Sequence, residues 1–385
     1  MKMEMNKDLW PSKEKLQKAL ENALYRVDSN MEKLGFCFPS EVITNSRYGI
    51  IENNTWATGF WPGTIWLAYE LTGNEKYKKH AKRLMRSFVV RIEKELYLNH
   101  HDLGFLYSPT CVAAYKITGD ETCRRAGIMA ADYLAGRFEK KGEFIKAWGD
   151  MKNRSQEGYF YIIDCMLNVP LLYWAYQETG KEYYKDIADK HVNTTRNTVI
   201  RADGSTYHKF FFDVDTGKPL CGKTGQGFAD DSAWSRGQAW GVYGFALNYA
   251  ETGNQESLKA FKSVTNYFVN HLPKDLIPYW DFVFTEGDEP RDSSAALIFI
   301  CGVLEMLKIC PEDEDVLRYE QIAAKMLHEI IDSLASKPGD ATDGMVLRVT
   351  GSKPHDEAVD AIGSYADYYY MEILARLLLD WNCYW

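Results

Sequence analysis

The chain has 385 residues, 46% apolar and 14% aromatic, with 45 Lys and Arg against 54 Asp and Glu for a net charge of −9. Such a composition excludes intrinsic disorder, and the acidic balance argues against a nucleic-acid partner, which would need a basic footprint. No window approaches 18 uncharged apolar residues, so no membrane span is expected. The opening MKMEMNKDLWPSKEK has no apolar core of a secretory leader. Eight cysteines (Cys37, Cys111, Cys123, Cys165, Cys221, Cys301, Cys310 and Cys383) are scattered without a CxxC pair. They read as reduced, mostly buried thiols of a cytoplasmic protein.

In chain order, a helical KEKLQKALENALYRV comes first, followed by four segments that read alike. These are WLAYELTGNEKYKKHAKRL, CVAAYKITGDETCRRAGIM, LLYWAYQETGKEYYKDIAD and FALNYAETGNQESLKAFKS. In each, an apolar helical run ends at Thr-Gly and a second helical pattern follows. Gly73, Gly119, Gly180 and Gly253 stand where a helix C-terminus wants a left-handed residue without a Cβ. A fifth, Gly-less unit is expected at MLKICPEDEDVLRYEQIA, and a sixth from the C-terminal YADYYYMEILARLLLDW paired with the N-terminal helix. RADGSTYHKFFFDVD between them reads as a local hairpin. The first helix of each pair is apolar nearly all round, and the second carries charge on one face, which predicts a buried inner ring and a wet outer one. The expected fold is all-α: six helical hairpins in an (α/α)6 barrel, one catalytic domain over residues 1–385. An open solenoid of helical pairs is the alternative.

Counting back sixteen or seventeen residues from each Gly reaches Trp56, Asp102, Asp164 and Arg236. At 1.5 Å per residue they lie about 25 Å away, on the opposite rim. Unusual side chains crowd these stretches: TWATGFWPG, NHHDLGFLYSP, GYFYIIDCMLN and FADDSAWSRGQAW. Asp102 suits either a helix N-cap or an acid. Asp164 sits in an apolar run, where a carboxylate needs partners or a raised pKa. His100-His101-Asp102 mimics metal ligands, but adjacent residues seldom converge on one ion, and neither a metal nor a cofactor is expected. Asp230-Asp231 reads as helix capping. No G-x-S-x-G, P-loop or dinucleotide fingerprint occurs. Arg236 in WSRGQAW suits a carboxylate ligand, and tryptophans gathered on one rim suit the flat C–H faces of sugars.

On the motifs WATGFWPGTIWLAYELTG, HHDLGFLYSP, DCMLNVPLLYWA, DDSAWSRGQAWGVYGF and DYYYMEIL, spread from about residue 50 to 375, the chain resembles the unsaturated glucuronyl hydrolases of glycoside hydrolase family 88. The resemblance implies Asp164 as general acid/base, with Asp102 holding the substrate and tuning its partner. It implies Trp56, His101, Trp148, His208, Gln226, Arg236 and Trp240 as the lining of a uronate subsite. Members that accept sulfated substrates use Ser and Lys near the C-terminus, for which Ser352, Lys353 and Ser364 are candidates. The implied partner is a small unsaturated uronyl oligosaccharide made by a polysaccharide lyase. Its C4=C5 bond would be protonated at C4 and hydrated at C5, and the hemiketal would collapse to expel the aglycone. The alternatives are a family 105-like rhamnogalacturonyl hydrolase acting on pectin fragments, a sugar epimerase on the same barrel with His101 and His208 as its bases, and a non-catalytic helical scaffold.

Overall fold

Each Thr-Gly turn is built by the same two devices. Gly73, Gly119, Gly180 and Gly253 have φ between 64° and 69° and close their helices with a backbone N–H four residues back. The threonine before each glycine donates its hydroxyl to the carbonyl four residues earlier, as Thr72 does to Ala68 and Thr252 to Asn248. At three of the four turns, Asn74, Asp120 and Asn254 then cap the next helix through their side chains. The fifth turn lacks glycine, and Cys310 ends one helix while Asp313 caps the following one.

The computed structural model describes Asn6 and residues 8–385. Residues 1–5 and Lys7, in the stretch read above as leaderless, lie outside the described residues. Among the described residues, no helix is long and apolar enough to cross a membrane. Six inner helical stretches form a closed ring. Phe60–Thr72 packs on Ser364–Leu378, that helix on Ser293–Ile309, and that one on Ser235–Thr252. Ser235–Thr252 touches Pro170–Thr179, Pro170–Thr179 touches Leu103–Tyr107, and the adjoining Ser108–Val112 returns to Phe60–Thr72. Lys13–Leu34, Glu75–Glu93, Glu121–Ala135, Glu182–Thr198, Gln255–Asn270 and Glu314–Glu329 are the outer partners. Closure removes the solenoid alternative and establishes the (α/α)6 barrel. The inner helices are buried all round, with Ser293 to Leu307 wholly enclosed. In the outer ones a single stripe is buried.

The inner helices differ from simple rods where they approach the rim. The stretch 103–118 passes through a π segment at Ser108–Val112, where Pro109 has no N–H to give the helical ladder. Asp164 precedes its inner helix, in a 3-10 turn at Ile163–Leu167. That turn grows out of a three-stranded sheet with the order Phe160–Ile162, Lys209–Phe212, Pro219–Lys223. The expected hairpin at RADGSTYHKFFFDVD is therefore only a bridge between Ile200 and Thr206, and its second half, Lys209–Phe212, instead pairs with the distant Phe160–Ile162 and in a hairpin with the following Pro219–Lys223. Glycines let the inner elements meet: a Cβ on Gly104 would lie 2.3 Å from the Asn168 Cα. Gly104→Ala is expected to lower the thermal midpoint through overpacking of about 1–3 kcal/mol, read by calorimetry against the parent.

The C-terminal tail closes the far end of the ring. Trp381 and Tyr384 both donate to the Glu70 carboxylate, and Trp385 donates to Glu372 at 2.9 Å. The Trp385 ring stacks over Tyr369 and meets Phe105 edge-on. Arg376 is buried among Glu305, Glu372 and the Tyr243 hydroxyl.

Candidate active site

At the other end a cleft of about 730 Å³ opens between the rim segments, and all nine residues singled out from the sequence line it: Asp102, Asp164, Trp56, His101, Trp148, His208, Gln226, Arg236 and Trp240. Two of its walls are fastened by one side chain. The Asn168 amide accepts from the Phe105 N–H at 2.8 Å and donates to the Asp164 carbonyl at 3.2 Å. The backbones carrying the two aspartates are thus locked together at a fully buried position.

The aspartates have opposite surroundings. Asp102 stands at the start of Leu103–Tyr107, but its side chain caps nothing. Its carboxylate lies 3.2 Å from His100 Nδ1 and 3.4 Å from His101 Nε2. Burial alone would raise this carboxyl, but the imidazoles of His101 and His100, and then Arg137, outweigh it and hold it below the ordinary value. The Asp164 Oδ1 is shut off from solvent without a hydrogen-bond partner among the described residues. Burial pushes its carboxyl up to about 7, the charge of Asp102 adds to the rise, and Arg236 and Lys209 oppose it. Two carboxyl groups driven apart in this way divide into a proton donor and a permanent anion.

The histidines are neutral donors rather than bases. Burial brings His101 down to about 4 and takes His208 well below its usual value. The His208 Nδ1 accepts from the backbone N–H groups of Gly225 and Gln226 at 3.0 and 3.1 Å. The proton therefore sits on Nε2, which is buried and unpartnered among the described residues. The Trp240 indole N–H is unpartnered in the same way. Buried donors without partners are rare in native interiors, and these two line a cleft next to an orphaned carboxyl oxygen.

Arg236 is more occupied than its sequence setting suggested. Its Nη1 donates to Asp292 and the Thr350 carbonyl, and its Nη2 to the Gly351 carbonyl. The Trp234 ring lies 4.6 Å from the guanidinium carbon. Of the five N–H groups, two are left for a ligand. Gln226 also grips the Gly351 carbonyl, at 2.9 Å. Trp56 and Trp240 both rest on Phe105, with centroids 5.6 and 5.2 Å away. Trp148 is 45% exposed on the rim, where a backbone bridge ties it to His100.

Lys209 and Tyr97 line the cleft without having been read from the sequence, and Asn99, His355 and Glu357 line it from rim stretches in which they were not singled out. Lys209 directly follows His208 and could have been found by neighbourhood, whereas Tyr97 gives no such signal. A neighbouring cavity of about 320 Å³ shares Trp56, Gln226, Arg236 and Glu357, and is also lined by Glu41 and Ser364. Glu41 is pushed up to about 7 by burial, with the charges of Asp102 and Glu357 adding to the rise. Ser352 lines the main cleft and bonds His355, whereas Lys353 lines neither cavity. The Asp230 carboxylate accepts from the Thr224 N–H and so staples a loop, while the nearby helix Ser235–Thr252 has Trp234 at its N-cap position and no side-chain cap. Among the described residues, no cluster of three or more His, Cys, Asp or Glu is placed to hold a metal ion.

A closed helical barrel whose aromatic cleft ends in two unlike carboxyl groups is the frame of a glycosidase. The sequence profile of Glycosyl Hydrolase Family 88 matches residues 38–376, and the chain belongs to that family. The unsaturated chondroitin disaccharide hydrolase of Streptococcus pneumoniae is 44% identical over 376 residues, which cover 97% of this chain and 94% of the relative. The crystal structure of unsaturated glucuronyl hydrolase from Streptococcus agalactiae superposes with a TM-score of 0.95 at 40% identity, covering 100% of this chain and 98% of that one. An aspartate-to-asparagine mutant of the S. agalactiae enzyme, complexed with dGlcA-GalNAc6S, superposes at 0.87 with 38% identity, covering 100% of this chain and 99% of that one.

Proposed function

We propose that this glycosidase removes the Δ4,5-unsaturated glucuronic acid from the non-reducing end of lyase-made glycosaminoglycan disaccharides and oligosaccharides, as one catalytic domain. The observation that carries the reading is the buried Asp164 carboxyl, whose Oδ1 has no partner among the described residues and which burial raises to about 7, in the same cleft as Asp102, whose carboxyl is held below its ordinary value. The substrate is an enol ether, which needs an acid to begin reaction and a carboxylate to stabilise the cation that follows. Asp164 delivers its proton to C4, leaving positive charge at C5 shared with the ring oxygen. Asp102 offsets that charge from a low-dielectric setting. Water adds at C5 and returns its proton to the Asp164 carboxylate. The C5–O5 bond of the hemiketal then breaks to a ketone, and the hemiacetal left at C1 releases the aglycone alcohol, one water being consumed overall.

Trp56 and Trp240 supply flat faces for the ring. His208 Nε2–H, the Trp240 indole N–H and the two spare N–H groups of Arg236 meet the uronate's oxygens, and Gln226 and His101 complete the wall. The complex of the S. agalactiae mutant with dGlcA-GalNAc6S supports a short uronyl ligand in this barrel. The eight cysteines, all unpaired, support a reducing, cytoplasmic setting, where the enzyme would meet fragments after import. The test is incubation with unsaturated chondroitin, hyaluronan and pectin fragments while following the absorbance of the conjugated alkene. Loss of absorbance with release of the reducing-end sugar from the glycosaminoglycan fragments is the expected result. An unchanged spectrum with all of them would refute the reading.

The pH profile carries a sign. Asp164 must be protonated to act, and its raised value places the loss of kcat/KM on the alkaline side, as pH rises through about 7. Asp102 must be ionised, and its depressed value keeps that requirement satisfied well into the acid range. Asp102→Asn removes a charge that lifts Asp164, so the alkaline limb of the residual activity should move to lower pH. A limb that stays in place would separate the two groups.

A further inference from the structure

The two aspartates are held by an amide that touches neither carboxyl. The side chain at a helix N-cap ordinarily accepts from the backbone N–H two or three residues on. Asp102 occupies that position for the inner stretch beginning at Leu103, yet its side chain makes no such bond. Its backbone, at φ −73° and ψ 24°, also lies outside the extended region usual for a cap. The bond comes from another repeat instead. The Asn168 Oδ1 accepts from the N–H of Phe105, the third residue of the helix, at 2.8 Å, and its Nδ2 donates to the Asp164 carbonyl at 3.2 Å. Asn168 is fully buried and ends the 3-10 turn Ile163–Leu167 that carries Asp164. Gly104 lets it come so near, for a Cβ there would lie 2.7 Å from the Asn168 carbonyl oxygen as well as against its Cα. Without this amide the buried Phe105 N–H would be a helix-end donor lacking an acceptor, a costly state.

We propose that Asn168 is a positioning residue of the active site, capping the helix of Asp102 in that residue's place and so leaving the Asp102 carboxylate free for the cleft. An aspartate at the head of a helix has a strong local use for its oxygens, and capping would draw them back over the first turn. With Phe105 already supplied, the carboxylate lies instead 3.2 Å from His100 Nδ1 and 3.4 Å from His101 Nε2, on the lining of the cleft. The same amide holds the backbone of Asp164, so one side chain sets both aspartates from behind. Asn168 is not among the residues lining the cleft, and it acts through Asp102 and Asp164 rather than on the sugar. Its consequence for turnover rests on the reading of the reaction given above, whereas its effect on the Asp102 side chain does not.

The test uses Asn168→Leu, which keeps nearly the same shape, removes both hydrogen bonds and leaves no room for a water in their place. A crystal structure of the variant should show the Asp102 carboxylate withdrawn from the two histidines and turned to the Phe105 N–H. With an unsaturated chondroitin disaccharide, kcat should fall by about 100-fold, the scale of a misplacement of about 1 Å, while KM changes far less. In an Asp102→Asn background the same substitution should cost much less, because both changes act through one carboxylate. Equal losses in the two backgrounds, or an Asp102 side chain that stays where it is, overturn the proposal. Should Asn168→Leu fail to fold, Asn168→Asp decides. It keeps an acceptor for Phe105, so Asp102 should remain beside His100 and His101, and a displaced Asp102 there overturns the proposal. If the parent consumes no unsaturated disaccharide, the reading of the reaction fails instead, and the crystal structure of Asn168→Leu still decides the role of Asn168.

Discussion

Asp164→Asn should leave a folded protein that binds its substrate and barely turns it over. The side chain is nearly isosteric, and Oδ1 has no partner among the described residues whose loss would disturb the packing. What disappears is, among the described residues, the one acid lining the cleft that is raised to about 7. General acid and base catalysis accounts for about 10²- to 10⁴-fold in rate. Here one group serves in both directions, so the loss should lie toward the upper end. Single-turnover absorbance measurements at saturating substrate would give kcat directly, and an equilibrium titration would give the affinity. A variant retaining most of its turnover would move the acid elsewhere, with Glu41, also raised to about 7 in the adjoining cavity, the next group to test.

Arg236→Met should be costly in two separable ways. The guanidinium and Asp292 form an ion pair with both side chains almost wholly buried, and removing one partner strands a charge, at a cost of about 3–5 kcal/mol. Asp292 also caps the helix Ser293–Ile309 through the Ser294 N–H, so its protonation or displacement would be felt along an inner helix. Chemical denaturation should show the destabilisation. Adding Asp292→Asn should recover part of it, because the stranded charge is then gone. Affinity for the uronate should not recover, since the two spare N–H groups remain absent. Full recovery of both properties would reduce Arg236 to a structural strut.

The ring was legible because its signal repeats. Four Thr-Gly turns, each with a helix-capping purpose, mark the inner helices and place Trp56, Asp102, Asp164 and Arg236 on one rim. Asp164 was legible for a different reason: a lone carboxyl in YIIDCML has nowhere polar to go, and its Oδ1 is left without a partner among the described residues. The spacing argument overstated the helices, because Pro170–Thr179 is only 10 residues long and the remaining distance from Asp164 is 3-10 turn and a two-residue turn. Arg236 shows the limit of reading from neighbours in sequence. Flanking tryptophans identified its stacking, but its anion, Asp292, is 56 positions away in the next repeat. Lys209 adjoins His208 in sequence, but its setting against Trp148 and Gly225 comes only from tertiary packing. Asp230 was mistaken for a cap because the helix after it begins four residues later than the acidic pair.

The sixth hairpin is assembled from the two ends of the chain, and this sets the order in which the molecule can be made. Lys13–Leu34 leaves the ribosome early and cannot dock on Ser364–Leu378 until nearly all the chain exists. Contacts such as Trp10 to Glu320 and Arg26 to Ser336 span 310 positions, among the longest loops to be closed. Five hairpins can therefore form as neighbours while the sixth waits, and the nascent protein would be an open crescent with an uncovered apolar edge. Phe105, which supports both Trp56 and Trp240, receives Trp385 only at that last step. The catalytic floor and the seam of the ring are thus completed together, so a molecule that stalls before closure would be an inactive one rather than a leaky or unselective enzyme.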